Sequence, residues 1–175
     1  MDPQQSGCGG NTCRGSGTAL NKPAVRQKPS GIRLRSALTD DVPDIAQIWQ
    51  KSILQVCMPY YPECPDWVQQ WADSKTPEAV AQLLAAEEFF VVAELHKKIC
   101  GFFCCSFQLG TFALFVNPDH LHAGIGKRLF SCYQRIAMEC GIKQLSFDSS
   151  RNAVAFYEKC GCHQIRRSAT DENSV

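Results

Sequence analysis

The spacing of hydrophobic and polar side chains changes along the chain, and each change predicts a new element. Residues 32–38 alternate apolar and polar side chains, which predicts a strand. Apolar side chains then recur at helical spacing, so we expect a helix over residues 41–55. Prolines and aromatic residues fill residues 58–77, and because proline ends helices this stretch predicts a loop that contains one short helix, at residues 66–73.

A further short helix and three strands are predicted next. The helix begins after Thr76, a residue type that caps helices, and runs to about Ala86. From residue 89 the hydrophobic pattern is that of strands, with a polar turn at residues 96–98. We therefore expect an antiparallel meander of three strands, at residues 89–95, 99–109 and 111–116.

A long amphipathic helix follows the meander. Its apolar side chains recur along one side of the helix, which Gly141 is suited to terminate: Ile125, Leu129, Cys132, Tyr133, Ile136, Ala137 and Cys140. A strand at residues 145–148, a helix that ends at Gly161 and a strand at residues 162–165 complete the order. This order predicts a mixed α/β fold, of the α+β kind, in which helices flank a mostly antiparallel sheet.

The composition indicates one globular domain and excludes several other classes of protein. The chain has 175 residues, of which 45% are hydrophobic, and this leaves room for a substantial core. Its formal net charge of +1 gives no reason to expect a nucleic-acid partner. The sequence has no apolar run near the ~20 residues that span a bilayer and no apolar secretory signal. We therefore expect a cytoplasmic protein that does not contact a membrane.

Eleven cysteines suggest a disulfide framework at first, but their number is odd and several lie inside predicted strands and helices. A free cysteine behaves as a small buried hydrophobe, so most of them are interpreted as reduced core residues. The run Cys160-Gly161-Cys162-His163 has no second pair of ligands at metal-site spacing, and no metal is expected.

Residues 1–31 differ in composition from the rest of the chain. They are rich in Gly, Ser, Pro, Asn and Gln, and four basic side chains accompany the single acid Asp2. Such a segment buries too little apolar surface to offset its ordering entropy, so we expect a disordered basic arm. Contact with an anionic partner and organelle targeting are alternative roles for it. Residues 32–175 form the predicted domain.

The residues that open the long helix are arranged as an anion-binding turn. Gly124 and Gly126 lie where the helix begins, and Lys127 and Arg128 add mobile positive charge beside them. The leading amides of a helix have no acceptor within the helix and lie at the positive end of its dipole, so they bind phosphate well. The alternative is structural, because a glycine pair also packs a helix against a sheet without any ligand.

Two stretches resemble motifs of one family. Residues 116–127 resemble the acetyl-CoA signature of the GNAT superfamily of N-acetyltransferases, and residues 152–161 resemble that family's second motif almost residue for residue. The likeness covers about residues 32–165. It implies a GNAT-like fold, acetyl-CoA as the cofactor, and a V-shaped opening between the strands that end at Val116 and Asp148.

The resemblance also implies roles for particular residues. The backbone of Phe115 and Val116 would pair with the pantetheine arm of acetyl-CoA. Asn152 would hydrogen-bond that arm, and Phe156 would pack on it. Tyr157 would donate a proton to the departing thiolate and is the expected catalytic residue. The pyrophosphate would rest on the main-chain amides of six consecutive residues: His122, Ala123, Gly124, Ile125, Gly126 and Lys127.

The chain also departs from the family pattern. Leu121 stands where Gln or Arg is usual, which should weaken phosphate binding without abolishing it. Few residues, mostly polar, follow Ile165, so we expect a shortened C-terminal hairpin. The strand over residues 111–116 contains no acid that could serve as a general base, and a water relay is preferred. Candidate bases elsewhere are Glu94, Asp148, His120 and His122.

Together these features predict an N-acetyltransferase that moves an acetyl group from acetyl-CoA to a primary amine of a small molecule or peptide by direct attack. The alternative is a catalytically weak acyl-CoA-binding or interaction protein that keeps the fold. Acetylation of an aminoacyl-tRNA has only the basic arm to support it, and a homodimer is left open. The acceptor is sought near four aromatic residues, which form either core packing or a substrate wall: Tyr60, Tyr61, Trp67 and Trp71.

Overall fold

The computed structural model describes residues 11–16 and 31–165, which form seven strands and five α-helices. The strands are β1 (Asn11–Ser16), β2 (Ile32–Ser36), β3 (Phe89–Leu95), β4 (Lys98–Ser106), β5 (Thr111–Val116), β6 (Gln144–Ser149) and β7 (Cys162–Ile165). The helices are α1 (Val42–Ser52), α2 (Pro65–Asp73), α3 (Pro77–Ala86), α4 (Ile125–Glu139) and α5 (Val154–Lys159). Shorter helical turns lie at Thr39–Asp41, Ile53–Cys57, Met58–Tyr60, Pro118–His120 and Arg151–Ala153.

Most of these elements agree with the hydrophobic pattern. Thr76 caps α3, since its hydroxyl oxygen accepts a hydrogen bond from the Ala79 amide at 3.2 Å. Gly141 follows α4 with a φ of +75°, as a helix-terminating glycine does. The helix expected over residues 41–55 differs, because its second part, Ile53–Cys57, is a π-helical turn. Such turns often occur at functional sites.

The larger sheet has the strand order β2-β3-β4-β5, and every neighbouring pair is antiparallel. The predicted meander is therefore confirmed. Its inner strand β4 is buried on both faces. Phe102 and Cys104 lie in the core beneath α1, α2 and α3, whereas Phe103 and Cys105 lie in the core beneath α4 and α5. This is why β4 is a continuous apolar run rather than an alternating one.

The smaller sheet has the order β6-β1-β7, and β1 pairs antiparallel with both neighbours. This corrects the expectation of a disordered arm over residues 1–31 for the six residues Asn11–Ser16. Their composition gives little apolar surface, so the strand is formed through main-chain pairing with two open edges. The other residues of that arm up to residue 30 lie outside the described residues. Residues 166–175, which the expectation of a shortened C-terminal hairpin concerns, also lie outside them.

An opening separates the two sheets along β5 and β6. β5 pairs with β4, β6 pairs with β1, and no ladder among the described residues joins β5 to β6. Aromatic side chains hold the two strands together on the face that α4 and α5 cover. The ring centroids of Phe112 on β5 and Phe147 on β6 are 4.8 Å apart. This unpaired boundary lies between the two strands where a V-shaped opening was expected.

Nine cysteines between residues 57 and 162 are reduced thiols, and six of them are buried. Burial raises the pKa of the Cys57 thiol to about 11 and that of Cys105 to about 12, so both stay protonated at neutral pH. The interpretation of most cysteines as reduced core residues is confirmed for these six. In the described ranges, no helix combines the length and the apolar character required to cross a membrane.

Candidate functional site

The first turn of α4 offers unpaired main-chain donors. The first helical hydrogen bond at this end runs from the Arg128 amide to the Gly124 carbonyl oxygen, at 3.1 Å. The amides of Ile125, Gly126 and Lys127 therefore precede any helical acceptor. Gly124 has a φ of +82°, and a Cβ placed on it would meet no atom within 4 Å. The turn is thus open around the position that a Gly124 side chain would occupy.

The loop that leads into this turn is held by Asn117. Its amide donates to the Cys100 carbonyl oxygen at 2.9 Å, which extends the pairing between β4 and β5 by one residue. Its side-chain oxygen accepts from the Asp119 amide at 3.1 Å. His122 has a φ of +62°, a conformation that favours glycine, so this loop bends sharply before α4 begins. Ala123, which follows His122, is exposed.

Gly126 has a packing role. A Cβ on Gly126 would lie 3.4 Å from Cε2 of Phe156 and 3.6 Å from Cγ2 of Val116. The absence of a side chain therefore brings the amino-terminal turn of α4 against both α5 and the end of β5. Arg128 does not add charge at the turn, contrary to the sequence analysis, because its guanidinium donates to the Ile32 carbonyl oxygen at 2.7 Å. Lys127 is exposed beside the turn.

The end of β5 is fixed from the opposite face of the sheet. Ser52, the last residue of α1, donates its hydroxyl hydrogen to the Val116 carbonyl oxygen at 2.9 Å. The Phe115 ring packs against Trp49, with 5.4 Å between the ring centroids. Ser52 was missed in the sequence analysis, since only the fold brings the end of α1 to the end of β5. Its one sequence signal is a hydroxyl at a buried position of an amphipathic helix.

Asn152 carries a buried polar atom without a partner. Its Oδ1 accepts no hydrogen bond from the described residues. A buried acceptor left unpaired costs about 1–3 kcal/mol, so a ligand that donates an N–H here would be favoured. The Cys57 thiol lies beside Ser150 and Asn152, whose side chains oppose the effect of burial on its pKa. The residues at this point fit an amide-containing arm such as pantetheine.

Tyr157 lies at the junction of α5 with both strands of the opening. Its ring centroid is 4.8 Å from that of Phe147 on β6 and 6.3 Å from that of Phe112 on β5. Phe156 and Phe130 also contact it, at 5.0 and 5.2 Å. Only 4% of Tyr157 is exposed. The side chain thus packs the two sheets together.

None of the candidate bases stands out by its environment. Glu94 forms an ion pair with Arg35 at 3.0 Å, and Arg35 also binds Asp41. Asp148 and His122 are exposed, and His120 lies in the turn before α4. The sequence of β5 contains no carboxylate, so the base remains unassigned to a side chain.

Aromatic side chains connect the α2 region to β5. Tyr61 and Trp71 are buried core residues, with 3% and 4% exposed, whereas Tyr60 is 53% exposed. Ring contacts run from Tyr61 through Trp67 and Trp71 to Phe115, with centroid separations of 5.8, 5.6 and 6.2 Å. Core packing is therefore confirmed for Tyr61 and Trp71. An acceptor that approaches β5 from this side would meet an aromatic surface.

The loop before α2 is also tied to the start of α5. The Tyr61 hydroxyl oxygen accepts a hydrogen bond from the Arg151 amide at 3.0 Å. The Arg151 guanidinium lies 4.7 Å from the Tyr61 ring centroid and pairs with Glu63. These contacts join segments that are 90 residues apart in sequence, and no local pattern indicated them. They place Asn152 beside the π-helical turn.

The family model described as "Acetyltransferase (GNAT) family" matches residues 47–162, well over half of the chain. A GCN5-related N-acetyltransferase from Rhodopseudomonas palustris, also described as an aminotransferase of class II, has 25% sequence identity and a TM-score of 0.68, over 78% of this chain and 84% of that one. The PaiA N-acetyltransferase from Thermoplasma acidophilum, in complex with coenzyme A, has 18% identity and a TM-score of 0.60, over 74% of this chain and 87% of that one.

An acetyltransferase from Trypanosoma brucei has 18% identity and a TM-score of 0.56, over 78% of this chain and 96% of that one. At this level of identity the similarity to the Thermoplasma and Trypanosoma proteins is one of fold. The curated proteins contain no match to the sequence.

Proposed function

The chain belongs to the acetyltransferase (GNAT) family, and we propose that it transfers an acetyl group to a primary amine of a small molecule or peptide. The family and the fold expected from the sequence are confirmed. Acetyl-CoA, the acetyl donor of this family, supplies the group as a reactive thioester. The amine acceptor and the roles of individual residues are our proposal.

One observation carries the proposal: the end of β5, an edge strand of the larger sheet, lies against the amino-terminal turn of α4. The leading amides of that turn lack helical acceptors, and the buried Asn152 Oδ1 lacks a partner among the described residues. A ligand with a phosphate at one end and amide N–H groups along its arm satisfies both. Such a ligand would lie along the edge of β5 that pairs with no strand among the described residues.

We assign the phosphate site to the amides of residues 122–127. Gly124 leaves the approach clear, and the exposed Lys127 adds a positive charge next to it. The main chain of Phe115 and Val116 holds the arm, while Asn152 and Phe156 contact it from α5 and the turn before it. Ser52 is a positioning residue, because its bond to the Val116 carbonyl oxygen fixes the end of β5.

The acceptor must lose a proton before it attacks, since an alkylammonium has a pKa of about 10.4. β5 supplies no carboxylate, and Glu94 is held in an ion pair with Arg35. We therefore propose that water carries this proton away from the amine. The acceptor would approach from the face of α1 and α2, where Trp67 and the exposed Tyr60 lie. Cytoplasmic location and a homodimer stay predictions from the sequence.

Tyr157 is the proposed proton donor to the departing thiolate. We expect Tyr157→Phe to lower kcat by about 10- to 10³-fold, the usual reach of general acid catalysis, with little change in acetyl-CoA affinity. Thiol release measures the first quantity and calorimetry the second. Tyr133→Phe is the matched control, because Tyr133 is a buried tyrosine of the same aromatic cluster, 4.3 Å from Phe112, and burial raises the pKa of its hydroxyl. A kcat for Tyr157→Phe equal to that of Tyr133→Phe would remove Tyr157 from catalysis.

The second candidate function is that of a catalytically weak acyl-CoA-binding or interaction protein. The absence of a carboxylate on β5 favours it. A panel of amines, covering polyamines, amino acids and peptide N-termini, separates the two functions by thiol release. Acetyl-CoA binding by calorimetry without thiol release from any amine would favour the binding protein over the enzyme.

A further inference from the structure

β1 is the strand that joins the two other strands of the smaller sheet. It pairs with β6 from Asn11 opposite Ser149 to Ser16 opposite Gln144. It pairs with β7 from Thr12 opposite Ile165 to Gly15 opposite Cys162. Among the described residues, neither β6 nor β7 pairs with any other strand. The sheet that forms one side of the opening therefore depends on a segment distant in sequence from both of its neighbours.

This dependence reaches the candidate site through β6 and α5. One edge of β6 borders the opening, and the other edge is paired with β1. The turn with Asn152 follows β6 directly, and α5 packs against both β1 and β7. Without β1, the main-chain groups of two strand edges would lose their partners. Among the described residues no ladder would then join β6 to β7, and the β6 side of the opening would lose its sheet.

The sequence of β1 also makes it a strand that can detach. Asn-Thr-Cys-Arg-Gly-Ser offers little apolar surface to bury. Its pairing therefore relies on main-chain hydrogen bonds, each of which contributes about 0.5–1.5 kcal/mol net. A strand held in this way can be supplied by a separate peptide, as in recognition by strand addition.

We propose that Asn11–Ser16 controls the acetyl-CoA site. It inserts between β6 and β7 and holds the β6 side of the opening in place. When it detaches, acetyl-CoA no longer binds. The link to acetyl-CoA rests on the proposed function. The segment that pairs with β6 and β7 belongs to this chain, and an extended peptide of the same sequence fits between the same two strands. The N-terminal region thereby controls a site formed by residues from the middle and end of the chain.

Cross-linking tests the strand register in the full chain. Cys13 lies opposite Gln164, an exposed position on β7. We expect Gln164→Cys to form a disulfide with Cys13 under mild oxidation, identified by peptide mass mapping. The matched control is His163→Cys, because His163 is also exposed but lies opposite Arg14, so its side chain projects from the other face of the sheet. Equal yields of the Cys13 cross-link in both variants, or none in either, would overturn the placement of β1.

Truncation tests the effect on the site. We expect a chain without residues 1–16 to lose amide-exchange protection in β6 and β7 and to bind acetyl-CoA at least about tenfold more weakly. A chain without residues 1–10 keeps β1 and should match the full chain. A synthetic peptide of residues 11–16, added in excess, should restore protection and binding to the shorter chain. A peptide of the same composition in scrambled order serves as the control.

The outcomes separate this inference from the proposed function. Unchanged protection and acetyl-CoA affinity in the chain without residues 1–16 would overturn the role of β1. If that chain does not fold, Thr12→Pro in the full chain replaces it, because Thr12 lies opposite Asp148 in one ladder and Ile165 in the other, and proline removes its main-chain donor. Cross-linking, exchange and binding need no turnover. If the full chain gives the expected results in these three measurements but acetylates no amine, only the proposed acetyl transfer is contradicted.

Discussion

Gly101 determines how closely α4 can lie on the larger sheet, and Gly101→Ala tests this directly. Gly101 is buried in β4, and an added Cβ would lie 2.9 Å from the Phe115 carbonyl oxygen. It would also lie 3.1 Å from Cγ2 of Ile125 and 3.2 Å from Cδ1 of Leu129. The first contact is with backbone, which cannot rotate away as a side chain does. Either β5 or the first turns of α4 must move.

Overpacking of this kind costs about 1–3 kcal/mol. For a chain of this size 1 kcal/mol changes the melting temperature by about 2–4 °C, so we expect a decrease of about 2–12 °C. Acetyl-CoA should also bind more weakly, because Phe115 and Ile125 belong to the two elements that form the proposed site. Differential scanning calorimetry measures the first effect and titration calorimetry the second.

Gly31→Ala is the matched control for this substitution. A Cβ on Gly31 would lie 3.7 Å from Cδ1 of Leu95, an ordinary van der Waals contact. We expect its melting temperature to stay within about 2 °C of the wild type and its acetyl-CoA affinity to be unchanged. If Gly101→Ala behaves like Gly31→Ala in both measurements, the close approach of α4 does not govern the site, and the reasoning is refuted.

Two further predictions concern the proposed phosphate turn and the stability of the fold at acid pH. Gly124→Val should abolish acetyl-CoA binding that calorimetry can measure. The control is Gly110→Val, at another open glycine of positive φ (+66°), in the turn between β4 and β5; it should reduce stability but keep binding. Equal acetyl-CoA affinities in the two variants would place the phosphate elsewhere. The pKa of Asp41 is lowered chiefly by its hydrogen bond with Arg35, at 2.6 Å, and also by the Leu38 amide. A lowered pKa means that this stabilisation is full above the unfolded value of about 3.9 and is lost as the pH falls through the lower folded value. Asp41→Asn should therefore lower the free energy of unfolding by about 1.5–3 kcal/mol at pH 7. The difference from the wild type should be smaller below pH ~4. If denaturant titrations give the same difference at both pH values, the Asp41 carboxylate is not the source of this stabilisation.

Local sequence was sufficient to predict the features that depend on a single segment of the chain. The stripe of apolar residues in α4, the strand pattern of the meander and the cap at Thr76 each depend on neighbours within a few residues. The turn at Gly124, our proposed phosphate site, could be located for the same reason, since a helix amino terminus is formed by consecutive amides. Gly126 was assigned to the same turn, but its packing against Phe156 required the fold.

Contacts between distant segments could not be predicted in this way. Ser52 and Val116 are 64 residues apart, and Arg128 and Ile32 are 96 apart. Neither pair has a sequence pattern of its own, because a hydroxyl or a guanidinium pairs with whichever carbonyl the fold brings near. The expectation that Arg128 adds mobile positive charge beside the turn was wrong for this reason.

Local sequence was enough to place most of the elements, the family and the turn that opens α4, because these depend on residues that are close together in the chain. The tertiary structure alone decided which strand completes the smaller sheet. Asn11–Ser16 has a polar composition that predicts disorder, yet it is a strand between β6 and β7. Pairing of this kind depends on two open edges of backbone donors and acceptors, and an open edge is a property of the assembled fold rather than of any local segment.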